Sequence, residues 1–498
     1  MPKAQARTRS TTLQTWRTRW GGLLLAVLLI PPTTAAASMG GGHDEPRLVS
    51  RPDALPDHGS VGACGSEHAY QGWDQEATLA ASAQGRLVTA WTQDYADAIS
   101  VAYSDNGQSW TQVLPATTEC TGGLDGFNSA YDAWLSVGPR SSDPALDRVV
   151  YLSSAVKRTG DLTTDEYATV VNRSLDGGRT WSPPVEVTGR ASKAEYLDGS
   201  TVTADPYHAG VAYVTWRRGD YTFANRSQYV AKTIDGGRTW SAPVRLPAVQ
   251  MPTAGNLAVL SDGTLLDVFV EVPPQPGFAI HNTNGPSTIR ATRSTDGGAT
   301  WSPPSLVAVA DPRLMVMARV AVAPDGSVFV SWQRASTDDT NPSFALMLSR
   351  SGDGGRTWAP PQAAGAAIPG PPEYGSHGTI AAAPSLAVAA DGTLGIGFYD
   401  HRNDVAGSSP PKITDYWFRW SSDGGTTWRE RHLAGPFDQT TAPSDQGPVC
   451  CPGFLGDSQG IAPVPGGFAL TYTLAGPLAV SSPSDGATTD IFFSRVAP

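Results

Sequence analysis

Charge is scarce in this 498-residue chain, at 16% of residues, and what there is leans acidic, with 46 Asp and Glu against 35 Lys and Arg. A phosphate backbone needs a basic stripe to release its counterions. No run of Lys or Arg supplies one, so nucleic acid is not an expected partner. Long hydrophobic runs are equally rare. The one strongly apolar stretch, Gly21 to Ile30, is too short to cross a bilayer unaided, and no later stretch approaches the roughly 18 consecutive apolar residues of a membrane helix. Stable membrane insertion is therefore not expected. Nucleotide-binding glycine loops and H-E-x-x-H motifs are missing, and the cysteines form no C-x-x-C pair with nearby His, so neither a cofactor nor a metal is expected.

The short apolar stretch follows Arg7, Arg9, Arg17 and Arg19 and precedes Ala35-Ala36-Ala37, the order of a secretory signal peptide. Residues 1–37 are expected to direct export, with an uncleaved anchor as the alternative. The secreted remainder holds 30 basic and 46 acidic side chains, a net charge of about −16. In an oxidising compartment Cys64, Cys120, Cys450 and Cys451 can form two disulfides in any of three connectivities. Bridges tying the first part of the chain to the last are favoured, because a ring between the adjacent Cys450 and Cys451 would be strained.

What the chain has in abundance is turn formers and aromatics: 53 Gly, 41 Pro, 15 Trp and 15 Tyr. They are organised by a repeat. The octapeptide Ser/Thr-x-Asp-x-Gly-x-Thr-Trp begins at Ser174, Thr233, Ser294, Ser351 and Ser421, and a degenerate copy spans Tyr103 to Trp110. Its aspartates, Asp105, Asp176, Asp235, Asp296, Asp353 and Asp423, are spaced by 71, 59, 61, 57 and 70 residues, a period of propeller blades. Each copy sits among short runs rich in Val, Tyr and Trp and bounded by Gly, Pro and Asp, which read as four strands with the octapeptide as the hairpin between the third and fourth. The aspartates are expected to be structural, accepting hydrogen bonds from their own turn. A calcium role is disfavoured because the ligand ladder of an EF-hand is absent.

A seventh copy starts near Gly460 and stops after its third strand, and the candidate for the missing outer strand is Pro46 to Ser50 at the other end of the chain. The expected fold is an all-β propeller of four-stranded antiparallel blades, seven by this count, or six if one copy is miscounted. Residues 38–66 read as an N-terminal segment holding the ring-closing strand and residues 67–498 as the propeller.

The octapeptides resemble the Asp-box, or bacterial neuraminidase repeat, of the sialidase superfamily, over about residues 70 to 498. The resemblance implies that the boxes lie on the face opposite the functional site, which is built from loops leading into first strands and joining second to third strands. It also implies an Arg triad gripping a sugar carboxylate, a Tyr/Glu nucleophile pair and an Asp acid. The Arg-Ile-Pro motif of that family is missing here; its place reads Trp73-Asp-Gln-Glu-Ala77.

Basic residues recur at the ends of second strands: Lys157-Arg158, Arg217-Arg218, Gln333-Arg334 and His401-Arg402. Arg218, Arg334, His401 and Arg402, with Asp457, are the candidate substrate-binding residues, although each Arg could equally pair with a neighbour such as Asp220 or Asp404. Tyr399, Asp400, Asp74, Glu271 and Tyr374 are the candidate catalytic residues, with Asp132, Asp198, Glu195 and Tyr221 as further candidates; the densest polar cluster is Phe398 to Asp404. Gly456-Asp-Ser458-Gln-Gly460 matches a G-x-S-x-G elbow, but that motif needs a strand, turn and helix, and here it precedes a predicted strand. Two functions compete: an exo-acting glycoside hydrolase of anionic, sialic-acid-type glycans, and a silent propeller binding an extracellular glycan or glycoprotein. A monomer suffices for either.

Overall fold

The computed structural model describes residues 45–51, 73–82, 85–94, 96–158, 165–189, 195–220, 226–248, 251–252, 255–272, 287–310, 318–335, 343–369, 382–404, 413–442, 453–476 and 488–498. Cys64, Cys450, Cys451, Tyr221 and Tyr374 lie outside the described residues.

Seven antiparallel sheets form the blades of a ring, each with the next strand in sequence as its neighbour. Blade 1 is Gln75–Ala81, Leu87–Gln93, Ala98–Ser104 and Thr111–Val113, and blades 2 to 6 repeat that order. The first strand of blade 4 is split into Met251–Pro252 and Asn256–Val259, and the fourth of blade 5 into Gln362–Ala363 and Ile368–Pro369. Blade 7 takes Gly460–Val464, Gly467–Ala475 and Thr489–Val496 from the end of the chain and Arg47–Leu48 from its beginning. Arg47 pairs with Phe493 and Leu48 with Phe492, so the outermost strand is supplied from inside the segment 46–50. The seam is pinned again where the Ser50 hydroxyl donates to Asp490 at 2.8 Å and accepts from the Ile491 N–H at 3.0 Å.

The faces between blades are the core, because strand alternation sends successive side chains to opposite neighbours. Leu266, Val268 and Val270 of blade 4 pack with Val328, Val330 and Trp332 of blade 5 in one cluster. Tyr399, Tyr416 and Phe418 of blade 6 do the same with Phe468, Leu470 and Tyr472 of blade 7.

The five complete octapeptides are hairpins of one design. In blade 2 the Asp176 carboxylate accepts from the Arg179 and Thr180 N–H groups at 3.0 and 2.9 Å and from the Thr180 hydroxyl at 2.6 Å. The Ser174 hydroxyl meanwhile accepts from the Gly178 N–H. Asp105 of the degenerate copy departs from this and corrects the alignment. The hairpin there is one residue tighter: Asn106 accepts from the Gln108 and Ser109 N–H groups, and Ser104 from Gly107. Asp105 points outward instead, pairing with Arg86 and with Arg179 of blade 2.

A second recurrent device lies at the opposite end. The register of the first strand slips between Gln75 and Thr78, Tyr131 and Trp134, Asp198 and Thr201, and Ala382 and Ser385. Three of these bulges hold a residue at positive φ: Glu76 at 61°, Asp132 at 55° and Gly199 at 64°. Bulges re-aim side chains, and here they do so where the chain turns inward towards the ring axis.

Candidate functional site

At the axis, side chains and backbone from five blades meet around Arg319, the first residue of Arg319–Val322 in blade 5. One guanidinium nitrogen donates to Asn256 Oδ1 of blade 4 at 3.4 Å, and another donates to the Asp457 carbonyl of blade 7 at 3.0 Å. The cation lies over the Trp134 ring of blade 2, 5.3 Å from its centre. It also feels the carboxylates of Asp457 and of Glu76 in blade 1. Arg319 is only 7% exposed, and burial pulls its pKa down to about 10, against the opposing pull of Asp457 and Glu76.

The backbone explains how a charged group reaches this position. Glu76 sits on the blade 1 bulge in the left-handed region, where a non-glycine residue is strained, and such strain concentrates at functional sites. Its Oε2 accepts from the Thr92 hydroxyl at 3.3 Å. Gly456, at φ 97°, brings blade 7 against it so closely that a Cβ there would stand 2.5 Å from the Glu76 nitrogen. The two carboxylate-bearing segments of blades 1 and 7 are thus held together on one side of the axis, with Arg319 facing both.

Most of the residues singled out in sequence do not converge there. Tyr399 is buried between blades 6 and 7, its hydroxyl donating to the Thr473 carbonyl at 2.8 Å and accepting from the Thr473 N–H at 2.9 Å. Burial, then the neighbouring Tyr416, pushes its phenol well above the ordinary range, so it is poorly suited to act as a nucleophile. Asp400 holds Arg402 at 2.7 Å, and Arg402 reaches on to Glu430 on the fourth strand of its own blade, stacked 3.9 Å over Trp417. His401 is buried against Gln439 at 3.0 Å. Phe398 to Asp404 therefore folds back onto blade 6, and the convergence of His401 and Arg402 on a common anion is not what the geometry provides.

Elsewhere the same pairing recurs. Arg218 is bound to Glu195 and Arg217 to Asp198. Lys157 pairs with Asp165 at 2.9 Å and Arg158 with Glu166 at 3.7 Å. Glu271 is fully buried and bridged by Arg290 at 3.2 Å. Arg334 is exposed at the end of Val328–Ala335, while Gln333 before it is buried. Asp132 accepts from the Gly199 N–H at 2.6 Å, which ties the bulges of blades 2 and 3 together. Asp74 is buried at the seam, where burial and then the charges of Asp94 and Asp490 push its carboxyl well above the usual range. Of the named candidates, Asp457 reaches the Arg319 cluster, through its backbone carbonyl and the field of its carboxylate. Ser458, two residues before a strand, lacks the helix of a nucleophile elbow.

Arg319, Glu76, Trp134 and Asn256 are not among the residues that the sequence singles out. All four lie within first strands, Gln75–Ala81, Ser129–Val137, Asn256–Val259 and Arg319–Val322, rather than in the loops that lead into them. Glu76 stood inside the stretch noted for lacking an arginine.

At the octapeptide end the axis opens into a cavity of about 1310 Å³ whose wall includes Ala81, Val259, Val322, Val388 and Val464. These are small apolar ends of first strands, and Asp391, Asp423, Thr427 and Arg429 join them in the wall. Among the described residues no group of three His, Cys, Asp or Glu is placed to hold a metal ion.

The chain is a seven-bladed β-propeller. No protein-family model and no curated protein matches it. Solved structures similar to it include a Dyadobacter fermentans protein of unknown function, at 13% identity, 92% of this chain, 99% of that one and a TM-score of 0.47. The Fusarium graminearum GH93 α-L-arabinofuranosidase with arabinobiose matches at 13% identity, 92% and 98% coverage and a TM-score of 0.47. A Hadza microbial sialidase matches at 16% identity, 84% and 74% coverage and a TM-score of 0.44. Matches this distant assign no substrate, and what each name says belongs to that protein.

Proposed function

We propose that this chain is an exported, carbohydrate-active propeller that hydrolyses glycosidic bonds at the axial cluster. The observation carrying the reading is that Glu76 of blade 1 and the Gly456-Asp457 segment of blade 7 are packed together beside one buried arginine, which donates to the Asp457 carbonyl and feels both carboxylates. Glycoside hydrolysis needs two carboxyl groups, one giving a proton to the leaving oxygen and one assisting attack at the anomeric carbon. The atoms balance when the leaving oxygen takes the acid's proton, the sugar carbon takes the hydroxyl of water, and the second carboxylate takes the remaining proton. Arg319 lowers the cost of keeping one partner ionised beside the other. Trp134, beneath the cation, and Asn256, which accepts from it, orient the guanidinium.

Export is supported by the basic, apolar and Ala-rich order of residues 1–37, and disulfides among the four cysteines accord with it. The expected partner is an extracellular glycan or glycoprotein. The test is release of reducing ends from soluble polysaccharides and glycoproteins by the purified chain, beside Glu76→Gln and Asp457→Asn. Loss of about 100-fold or more in either folded variant supports the reading. Absence of release on every substrate, together with glycan binding, makes the chain a silent binding propeller.

A further inference from the structure

The charge at the axis decides what kind of sugar fits, given the carbohydrate-active reading on which this step rests. A sialic-acid-type substrate carries a carboxylate beside its reacting carbon, and holding it takes several guanidinium groups free to turn towards it. Of the described arginines at the ends of second strands, Arg158 is engaged with Glu166, Arg217 with Asp198, Arg218 with Glu195, and Arg402 with Asp400 and Glu430, which leaves the exposed Arg334 of blade 5, one guanidinium where several are needed. Arg319 does face the axis, but two of its nitrogens already donate to Asn256 and to the Asp457 carbonyl. Around it stand two carboxyl groups, Glu76 and Asp457; with one holding the proton it gives to the leaving oxygen, the other balances Arg319, and the cluster has no positive charge to spare for an anion.

The acidity of the whole chain acts in the same direction. With 46 acidic against 35 basic side chains, its long-range field repels an anion before contact. Carboxylates are acceptors only, and their natural partners in a sugar are hydroxyl donors.

We infer that the axial site takes an uncharged, polyhydroxylated glycan, and that sugars bearing a carboxylate at the reacting ring are rejected.

The experiment is turnover of 4-methylumbelliferyl glycosides by the purified exported chain: the sialoside beside an uncharged set comprising α-L-arabinofuranoside, β-D-galactoside, β-D-glucoside and α-L-fucoside. Glu76→Gln is run in parallel, with circular dichroism to confirm that it folds. The expected result is release from at least one uncharged glycoside, reduced about 100-fold by Glu76→Gln, with release from the sialoside at least about 100-fold slower. Sialoside turnover that exceeds every uncharged glycoside and is abolished by Glu76→Gln overturns the inference and leaves the axial hydrolase standing. Turnover of any of them that Glu76→Gln leaves unchanged moves the chemistry off the axis and overturns both. Release from none, with no melting-temperature rise on adding the free sugars, overturns both as well.

Discussion

Asp267 is a carboxylic acid in a place where water cannot reach it. It is fully buried on the second strand of blade 4, accepts from the Gln228 amide of blade 3 at 2.9 Å, and packs beneath Gly255, the neighbour of Asn256. Burial pushes its pKa up to about 7, against the pull of the Gln228 amide. Its second oxygen and the Gln228 carbonyl oxygen make no other hydrogen bond, and a proton shared between them would complete an acid–amide pair. The sign follows from linkage: a raised folded pKa gives stability that is full below pH 3.8 and is lost as pH rises towards 7. The loss is up to about 4 kcal/mol at the scale of 1.4 kcal/mol per unit. Asp267→Asn keeps the amide pairing without the titration. Urea denaturation is expected to find the variant more stable than the parent at pH 7.5, with the gap closing at pH 4.5. A gap independent of pH would show that Asp267 stays ionised. Arg319 makes a second residue-scale prediction. Arg319→Met leaves Glu76 and Asp457 without their shared cation, and the expected cost is about 3 kcal/mol in the same assay. A cost near zero would mean that the guanidinium is dispensable to the cluster.

Among the elements, the tight hairpin of blade 1 separates two roles that the longer hairpins combine. Asn106 holds the turn, whereas Asp105, with a side chain 58% exposed, makes ion pairs to Arg86 and Arg179 in solvent. Asn106→Ala is expected to cost about 1 kcal/mol through its orphaned N–H groups. Asp105→Ala should stay within about 0.5 kcal/mol, since exposed pairs are worth little. Chemical denaturation of the two variants checks the order, and the reverse ranking would restore Asp105 as the structural residue. The strands and hairpins were legible in sequence because their signals are local: alternation of apolar residues, a Gly-bearing turn, a Trp at fixed spacing. The bulges were not. A non-glycine residue at positive φ, as at Glu76 and Asp132, is imposed by contacts with the neighbouring blade, and nothing in the Trp73 to Ala77 stretch announces it. Arg402 was misread for a related reason. Its partner Glu430 lies 28 residues further on, so the pair exists only once the sheet has formed.

For the whole molecule, ring closure by Arg47–Leu48 converts an exposed edge into a paired strand, at a seam that joins residues more than 400 positions apart. A chain beginning at residue 52 should melt at lower temperature and scatter light on heating, because Thr489–Val496 would become an edge. Unchanged melting would mean that the seam contributes little. Closure was foreseeable from a repeat that ran out one strand short. The axial cluster was not, because it is assembled from five blades whose residues are scattered between Glu76 and Asp457 in sequence. The claim that this cluster is where the molecule acts is tested most directly by one comparison: the initial rate of glycoside hydrolysis by Glu76→Gln, at the axis, and by Arg402→Met, on blade 6. The account predicts a loss of about 100-fold or more in the first and retention of activity per folded molecule in the second. Retained activity in Glu76→Gln with loss in Arg402→Met would contradict it and place the site on the blade 6 rim.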